Sequence, residues 1–278
     1  MPELPEVETI VRSLRDGGRC GESILGCHFA RPGVLWERSI AMPGTVAFQA
    51  RLPGQRVEWV DRRGKYLRLH LSKDVLLIHL RMSGDLRVES TDLPPQPHDR
   101  ILFPFQYGSR MAFNDPRKFG RVWLTKDPAG VLAGLGPEPF DAHLGAGEFY
   151  QRLHASRRQL KPLLLGQSFL AGVGNIYADE ALHRARLHPL RRSHTLALEE
   201  AAALLAGVRA VLEAGIAANG ASLDWVYRGG NFQNQFRVHL RAGEPCYNCG
   251  TLIVRQVVGQ RSTYFCPVCQ PADPSQEV

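Results

Sequence analysis

The hydrophobic period of this chain changes near residue 134, and that change constrains the fold more than any other feature. From about residue 24 to 125 apolar residues fall in short or alternating runs broken by Gly and Pro. "QRVEWVDRRGKYLRLHLSKDVLLIHLRMSG" holds three such runs, parted by the turn-like "RRG" and "SKD"; "RILFPF", "RMAFND" and "GRVWLT" follow. Short strands at this spacing predict an antiparallel sandwich or barrel. Beyond "GLGPEPF" the period is helical: "GEFYQRLHAS" and "ALEEAAALLAGVRAVLEAGIAANG" read as helices, the second closed by Asn219-Gly220. Between them "GVGN" separates a short apolar helix from another starting near Asn175, and backbone amides at such a helix start bind phosphate readily.

A further helix is expected at the N-terminus. In "PELPEVETIVRSLRDGG" Pro5 suits the first helical position, Glu6 and Glu8 lie in the first turn, and Gly17-Gly18 supply the stop. Val7, Ile10, Val11 and Leu14 recur at helical spacing, so one face is expected to be buried. The fold class is therefore α+β, with an N-terminal helix and β-sandwich ahead of a helical domain. The expected boundaries are 1–133 for the sandwich, 134–147 for a hinge, 148–236 for the helical domain, 237–270 for a metal-pinned module, and 271–278 for a disordered tail.

That module is read from its cysteines. Cys246 and Cys249, then Cys266 and Cys269, give C-x2-C-x16-C-x2-C, a spacing that offers four thiolates to one tetrahedral ion. With no ligand position left open, one structural Zn2+ is expected, serving folding and pinning a β-hairpin. Cys20 and Cys27 lack a matching pair and read as ordinary thiols.

A net charge of +7 and a pI near 9.3 point to a polyanionic partner, either nucleic acid or an acidic membrane face. No apolar run approaches the ~20 residues that span a bilayer, and no secretory signal is visible. A cytoplasmic protein is the expectation, and with it reduced cysteines. Only five lysines occur, at 65, 73, 118, 126 and 161, so each invites a specific role.

"PELPEVE", "GKYL", "HLRMSG", "NDPRKFG", "GVGNIYADE" and "QRSTYFCPVC" together resemble the formamidopyrimidine-DNA glycosylase family, the bacterial enzymes that excise oxidised purines. The resemblance runs over nearly the whole chain. It implies a β-sandwich behind the N-terminal helix, then a helix–two-turn–helix domain ending in a zinc-ribbon hairpin. It implies damaged double-stranded DNA as partner, no membrane, a monomer, and a nucleoid-associated cytoplasmic location.

It also implies a catalytic set. Pro2, freed by loss of Met1, becomes a secondary amine with a pKa of about 7.7–8 that can attack C1′ of the damaged nucleoside. Glu3 is the implied proton donor opening the deoxyribose ring, and Glu6 anchors the segment or orients water. Both acids equally suit helix capping. Lys65 is implied to contact the lesion or its phosphate and to serve as proton donor in β-elimination; a solvated hairpin lysine is the plainer reading. Arg261 is implied to clamp the flanking phosphates and assist δ-elimination. Met82, Arg117 and Phe119 would fill the void left by the extruded base, although Met82 and Phe119 could instead be sandwich core. His98, Arg157, Lys161 and Asn175 would contact phosphates.

Two departures from the family stand out. "ASLDWVYRGGNF" is shorter than the family's usual loop over the flipped purine, which puts lesion specificity in doubt, and His239 stands where Tyr is common. Rival readings are an endonuclease VIII-like enzyme for oxidised pyrimidines, whose members typically begin Pro-Glu-Gly-Pro-Glu, and a non-catalytic zinc-stabilised DNA-binding protein.

Overall fold

The computed structural model describes residues 1–30, 36–223 and 229–272. Two compact units result, the first built on Met1–Ala133 and the second on Gly134–Ala221 with the chain from Gly230 onward.

The first unit opens with α1 (Leu4–Asp16). Val7, Ile10, Val11 and Leu14 are buried on its inner face, each contributing roughly 1.5–3 kcal/mol before ordering costs. Ten strands follow: β1 (Ser23–Ile24), β2 (His28–Phe29), β3 (Ile40–Met42), β4 (Gln55–Arg63), β5 (Tyr66–Leu71), β6 (Val75–His79), β7 (Asp85–Ser90), β8 (Asp99–Pro104), β9 (Ser109–Asn114) and β10 (Arg121–Thr125). A helix, α2 (Thr45–Arg51), lies between β3 and β4.

They form two sheets in the orders β1-β4-β5-β6-β10-β3 and β2-β8-β9-β7. In β5 the alternation is plain: Leu67, Leu69 and Leu71 are buried, while Tyr66, Arg68 and His70 are half-exposed. Side chains from both sheets, α1 and α2, including Phe48 of α2, Phe103, Phe105 and Phe113, make one core. The sandwich departs from the antiparallel expectation in one place, since β3 pairs with β10 in parallel. Such a pair joins segments far apart in sequence, which no local pattern announces.

The second unit is helical: α4 (Ala146–His154), α5 (Leu160–Leu164), α6 (Asn175–Arg184) and α7 (Leu198–Ala217), with the short α3 (Ala129–Leu132) lying ahead of it in the first unit. The first of these helices begins inside the stretch expected to be the hinge. Asn219 and Gly220, past the end of α7, both have positive φ, at 57° and 79°. The unit closes with a two-stranded hairpin, β11 (Val254–Val258) against β12 (Arg261–Phe265). Its connecting Gly259 and Gln260 have φ of 54° and 62°, the signs a two-residue hairpin turn requires.

Candidate active site and nucleic-acid interface

At the N-terminus Pro2 and Glu3 are buried against the start of α1. Glu6, 2 % exposed, turns its Oε2 back to accept the Glu3 N–H at 2.8 Å. The Glu3 carbonyl accepts the Val7 N–H at 3.1 Å, which opens the helix. Glu6 thus satisfies a helix-start donor and also locks the residue that follows Pro2.

Glu8, one residue beyond Val7, gathers three arginines. Its Oε2 accepts Arg62 Nε at 3.0 Å, and its Oε1 accepts Arg12 Nε at 3.1 Å and Arg15 Nη2 at 3.3 Å. Arg62 lies near the end of β4, so this network ties α1 to the strand that leads into the turn carrying Lys65.

Lys65 sits in the two-residue β4–β5 turn and is only 4 % exposed, which rules out a freely solvated hairpin lysine. In the next strand pair Tyr66 faces His79, with ring centroids 4.5 Å apart and edge-on. The pKa of His79 is pushed down to about 3, first by burial and then by the Arg81 and Lys65 charges. Its Nδ1 accepts the Arg81 N–H at 3.0 Å. Neutral His79 therefore carries its proton on Nε2, ready to donate.

Two loops of the first unit present Met82, Arg117 and Phe119. Met82 is 37 % and Phe119 47 % exposed, so neither belongs to the core. The Arg117 guanidinium lies 5.2 Å from the Phe119 ring centroid. Each loop needs its glycine: a Cβ on Gly84 would collide with the Leu80 carbonyl, and one on Gly120 with the Phe113 ring. Fully buried Asp115 holds the second loop closed, with Oδ2 accepting the Gly120 N–H at 2.7 Å and Oδ1 the Arg117 N–H at 3.2 Å. His98 is exposed in the Pro-rich loop, and its carbonyl accepts the Asp115 N–H at 3.0 Å.

In the second unit Asn175 is the first residue of α6, and its Nδ2 donates to the Ser262 carbonyl of β12 at 3.0 Å. Arg157 is exposed ahead of α5, and Arg261 is exposed where the hairpin turn enters β12. Lys161 departs from its expected place. Its side chain is fully buried and its ammonium is spent on Asp179, with a second bond to the Asn175 carbonyl at 3.3 Å. An ammonium so enclosed cannot reach a phosphate; it braces the α6 start instead. His239 Nδ1 lies 2.8 Å from the other Asp179 oxygen. Next along α6, Glu180 accepts the N–H groups of Arg237, Val238 and His239 at 2.9, 3.0 and 2.9 Å. Burial raises its pKa, and those three bonds oppose the rise.

The four sulfurs of Cys246, Cys249, Cys266 and Cys269 lie within 4.8 Å of one another. Individual Sγ pairs are 3.5 to 3.9 Å apart. A tetrahedral Zn2+ with Zn–S bonds of ~2.3 Å requires about 3.8 Å. The donor set fits the ion.

Residues 1–122 match the formamidopyrimidine-DNA glycosylase N-terminal domain and 135–226 the H2TH domain of the same enzymes, while 243–272 match the zinc finger found in FPG and IleRS. The chain belongs to the formamidopyrimidine-DNA glycosylase family. A relative from Heliobacterium modesticaldum is 45 % identical over 282 residues, covering 97 % of this chain and 100 % of its own. One from Protochlamydia amoebophila is 39 % identical over 279 residues, covering 97 % and 99 %. Among solved structures, a Lactococcus lactis formamidopyrimidine-DNA glycosylase complexed with Fapy-dG-containing DNA superposes with a TM-score of 0.88 at 33 % identity, over 97 % of this chain and 100 % of that one. A MutM complexed with DNA containing carbocyclic 8-oxo-G does so with 0.88 at 32 %, over 98 % and 100 %.

Within this glycosylase framework the sequence reading missed His79, Glu8 with Arg62, and Asp115. Glu8 and Arg12 carry the i,i+4 signal of a helix pair, but Arg62 joins them from another element. Of the departing stretch 222–232, residues 224–228 lie outside the described residues, as do 273–278 of the tail. At the base of that stretch the Gly229 N–H donates to Ser222 Oγ at 3.1 Å. Among the described residues no helix is long and apolar enough to cross a membrane.

Proposed function

We propose that the protein is a bifunctional DNA glycosylase and abasic-site lyase that removes oxidised purines from duplex DNA. The reading is carried by the buried Pro2-Glu3 pair, held by Glu6 at the head of α1. Once Met1 is removed, the Pro2 nitrogen attacks C1′, and the base leaves with the bonding electron pair and a proton. This leaves an aminal at C1′; its C1′–O4′ bond then breaks, with O4′ taking up a proton from Glu3, and the iminium so formed carries a positive charge that acidifies the C2′ proton. Loss of that proton expels the 3′-phosphate, and a second elimination expels the 5′-phosphate.

Glu3, 3 % exposed beside the nucleophile, donates the proton that opens the deoxyribose ring. Lys65, 4 % exposed in the β4–β5 turn, serves as the proton donor in β-elimination. Arg261 binds flanking phosphate as a permanent cation and supports δ-elimination. His98, Arg157 and Asn175 add phosphate contacts. Met82 and Phe119 fill the vacated stack, while Arg117 hydrogen-bonds the orphaned partner base. The complexes of similar enzymes with Fapy-dG and 8-oxo-G DNA support an oxidised purine as substrate.

Borohydride reduction in the presence of abasic-site duplex tests the central step. A covalent protein–DNA adduct that disappears when one residue is left ahead of Pro2 is expected. No adduct, with duplex bound normally, would leave only a DNA-binding protein. Faster release of thymine glycol than of 8-oxoguanine opposite cytosine would transfer the protein to the oxidised-pyrimidine class.

A further inference from the structure

The two loops that carry Met82 and Arg117-Phe119 come from different strands, after β6 and after β9, yet one side chain joins them. Ser83 Oγ donates to Asp115 Oδ1 at 2.6 Å. The Arg117 N–H lies 3.2 Å from that carboxylate oxygen and 3.3 Å from Ser83 Oγ, so it is shared between the two. Beneath them Arg100, 2 % exposed, donates to the carbonyls of Asp115 and, at 3.0 Å, of Pro116. Met82, just before Ser83, and Arg117, two places beyond Asp115, are exposed, while Ser83 and Asp115 are 5 % and 0 % exposed.

We infer that the Ser83–Asp115 pair is a positioning device that sets the spacing between Met82 and the Arg117-Phe119 tip. The inference rests on the reading in which those three side chains occupy the space of the extruded base. A wedge works only if its parts are rigid before the base leaves, since ordering them afterwards would consume binding energy. Here the hydroxyl fixes the first loop against the carboxylate, and the same carboxylate fixes the backbone of Arg117. Loss of the hydroxyl unties the first loop from the carboxylate and leaves the Arg117 N–H with Asp115 Oδ1 alone. It removes one hydrogen bond from a buried charge without deleting any group that touches the sugar.

The consequence separates base removal from strand cleavage. Excision of a paired lesion needs the wedge, whereas a preformed abasic site has no base to replace. Single-turnover assays with Ser83→Ala are expected to slow excision of 8-oxoguanine opposite cytosine about tenfold, the scale of one charge-assisted hydrogen bond. Nicking of a preformed abasic duplex is expected to stay within about twofold. Ser83→Thr, which keeps the hydroxyl, is expected to restore excision. Isosteric Asp115→Asn is the second variant and should give the same split. If both activities fall together, the pair is merely structural; if neither falls, the loops hold themselves; either result overturns the inference. Phe119→Ala separates the underlying reading: paired-lesion excision that survives it removes the wedge itself, whereas its loss beside an unaffected Ser83→Ala leaves the wedge and removes only the positioning role.

Discussion

Lys161 and Asp179 form an ion pair in which neither side chain meets solvent. Removing one partner leaves the other charge buried without its counter-ion, held only by a polar neighbour (His239 for Asp179, the Asn175 carbonyl for Lys161), at a cost of about 3–5 kcal/mol. Lys161→Met is expected to lower the melting temperature accordingly, and Lys161→Met with Asp179→Leu to recover part of the loss. The salt dependence of duplex binding is the sharper measurement. Exposed Arg157 and Arg261 should each contribute about one unit to its slope, and Lys161 none. A slope that falls by about one in a folded Lys161 variant would return the residue to the phosphate-contacting set.

His79 gives the protein a dependence on acid. Its folded pKa is about 3, below the ordinary ~6.5. Between those values the unfolded chain takes up a proton that the folded protein refuses, so stability present above about pH 6.5 is lost as pH falls toward the folded value. The histidine's own share is of the order of a few kcal/mol. His79→Asn keeps an acceptor for the Arg81 N–H and cannot titrate. Its melting temperature is expected to fall less than the parent's between about pH 7 and about pH 4. Parallel curves for the two proteins would assign the acid sensitivity elsewhere.

How legible the molecule was depends on the range of the interaction. Strands β4, β5 and β6 were readable because Gly64 and the Ser72-Lys73-Asp74 turn punctuate alternating runs. The four cysteines were readable because a metal knuckle is a local object. The parallel β3–β10 pair was not, since its partners meet only through the tertiary fold. Asp115 could be seen as a turn residue in "NDPRKFG", but sequence does not say that its carboxylate also receives Ser83 from another loop. Lys161 was expected at a phosphate because its position matches the family's phosphate contacts. The apolar residues of "LKPLLL" around it in fact marked a buried helix, whose companion charge, Asp179, lies 18 residues away.

Zinc removal should act on DNA binding through geometry. The four thiolates pin the hairpin that carries Arg261 at its turn and Ser262 against Asn175. Structural zinc of this kind supplies about 10–16 kcal/mol to folding its module. A chelator is expected to abolish duplex binding and the finger's circular-dichroism contribution, with both restored by Zn2+. Retention of full affinity after the metal is shown to be gone would mean that the hairpin stands without it. Cys20 and Cys27 are unconnected to this site; burial pushes the Cys27 thiol up to about 12, so alkylation before metal removal should spare it.

Glu6 separates two meanings of an acidic helix start. Its Oε2 accepts the Glu3 N–H at 2.8 Å, a bond that any carbonyl-type oxygen could accept, whereas orienting a proton or a water would call on the charge. Loss of a capping group costs about 1 kcal/mol of stability, far too little to unfold a protein of this size. Its cost in rate can be larger, because Glu3 and Pro2 are displaced together and misplacement by about 1 Å can cost about a hundredfold. Glu6→Gln, which keeps the oxygen, is therefore expected to retain most of the nicking rate on oxidised duplex, and Glu6→Ala to lose at least about tenfold at nearly unchanged melting temperature. If Glu6→Gln fell as far as Glu6→Ala, the carboxylate would be acting through its charge, and anchoring would no longer account for its place beside the nucleophile.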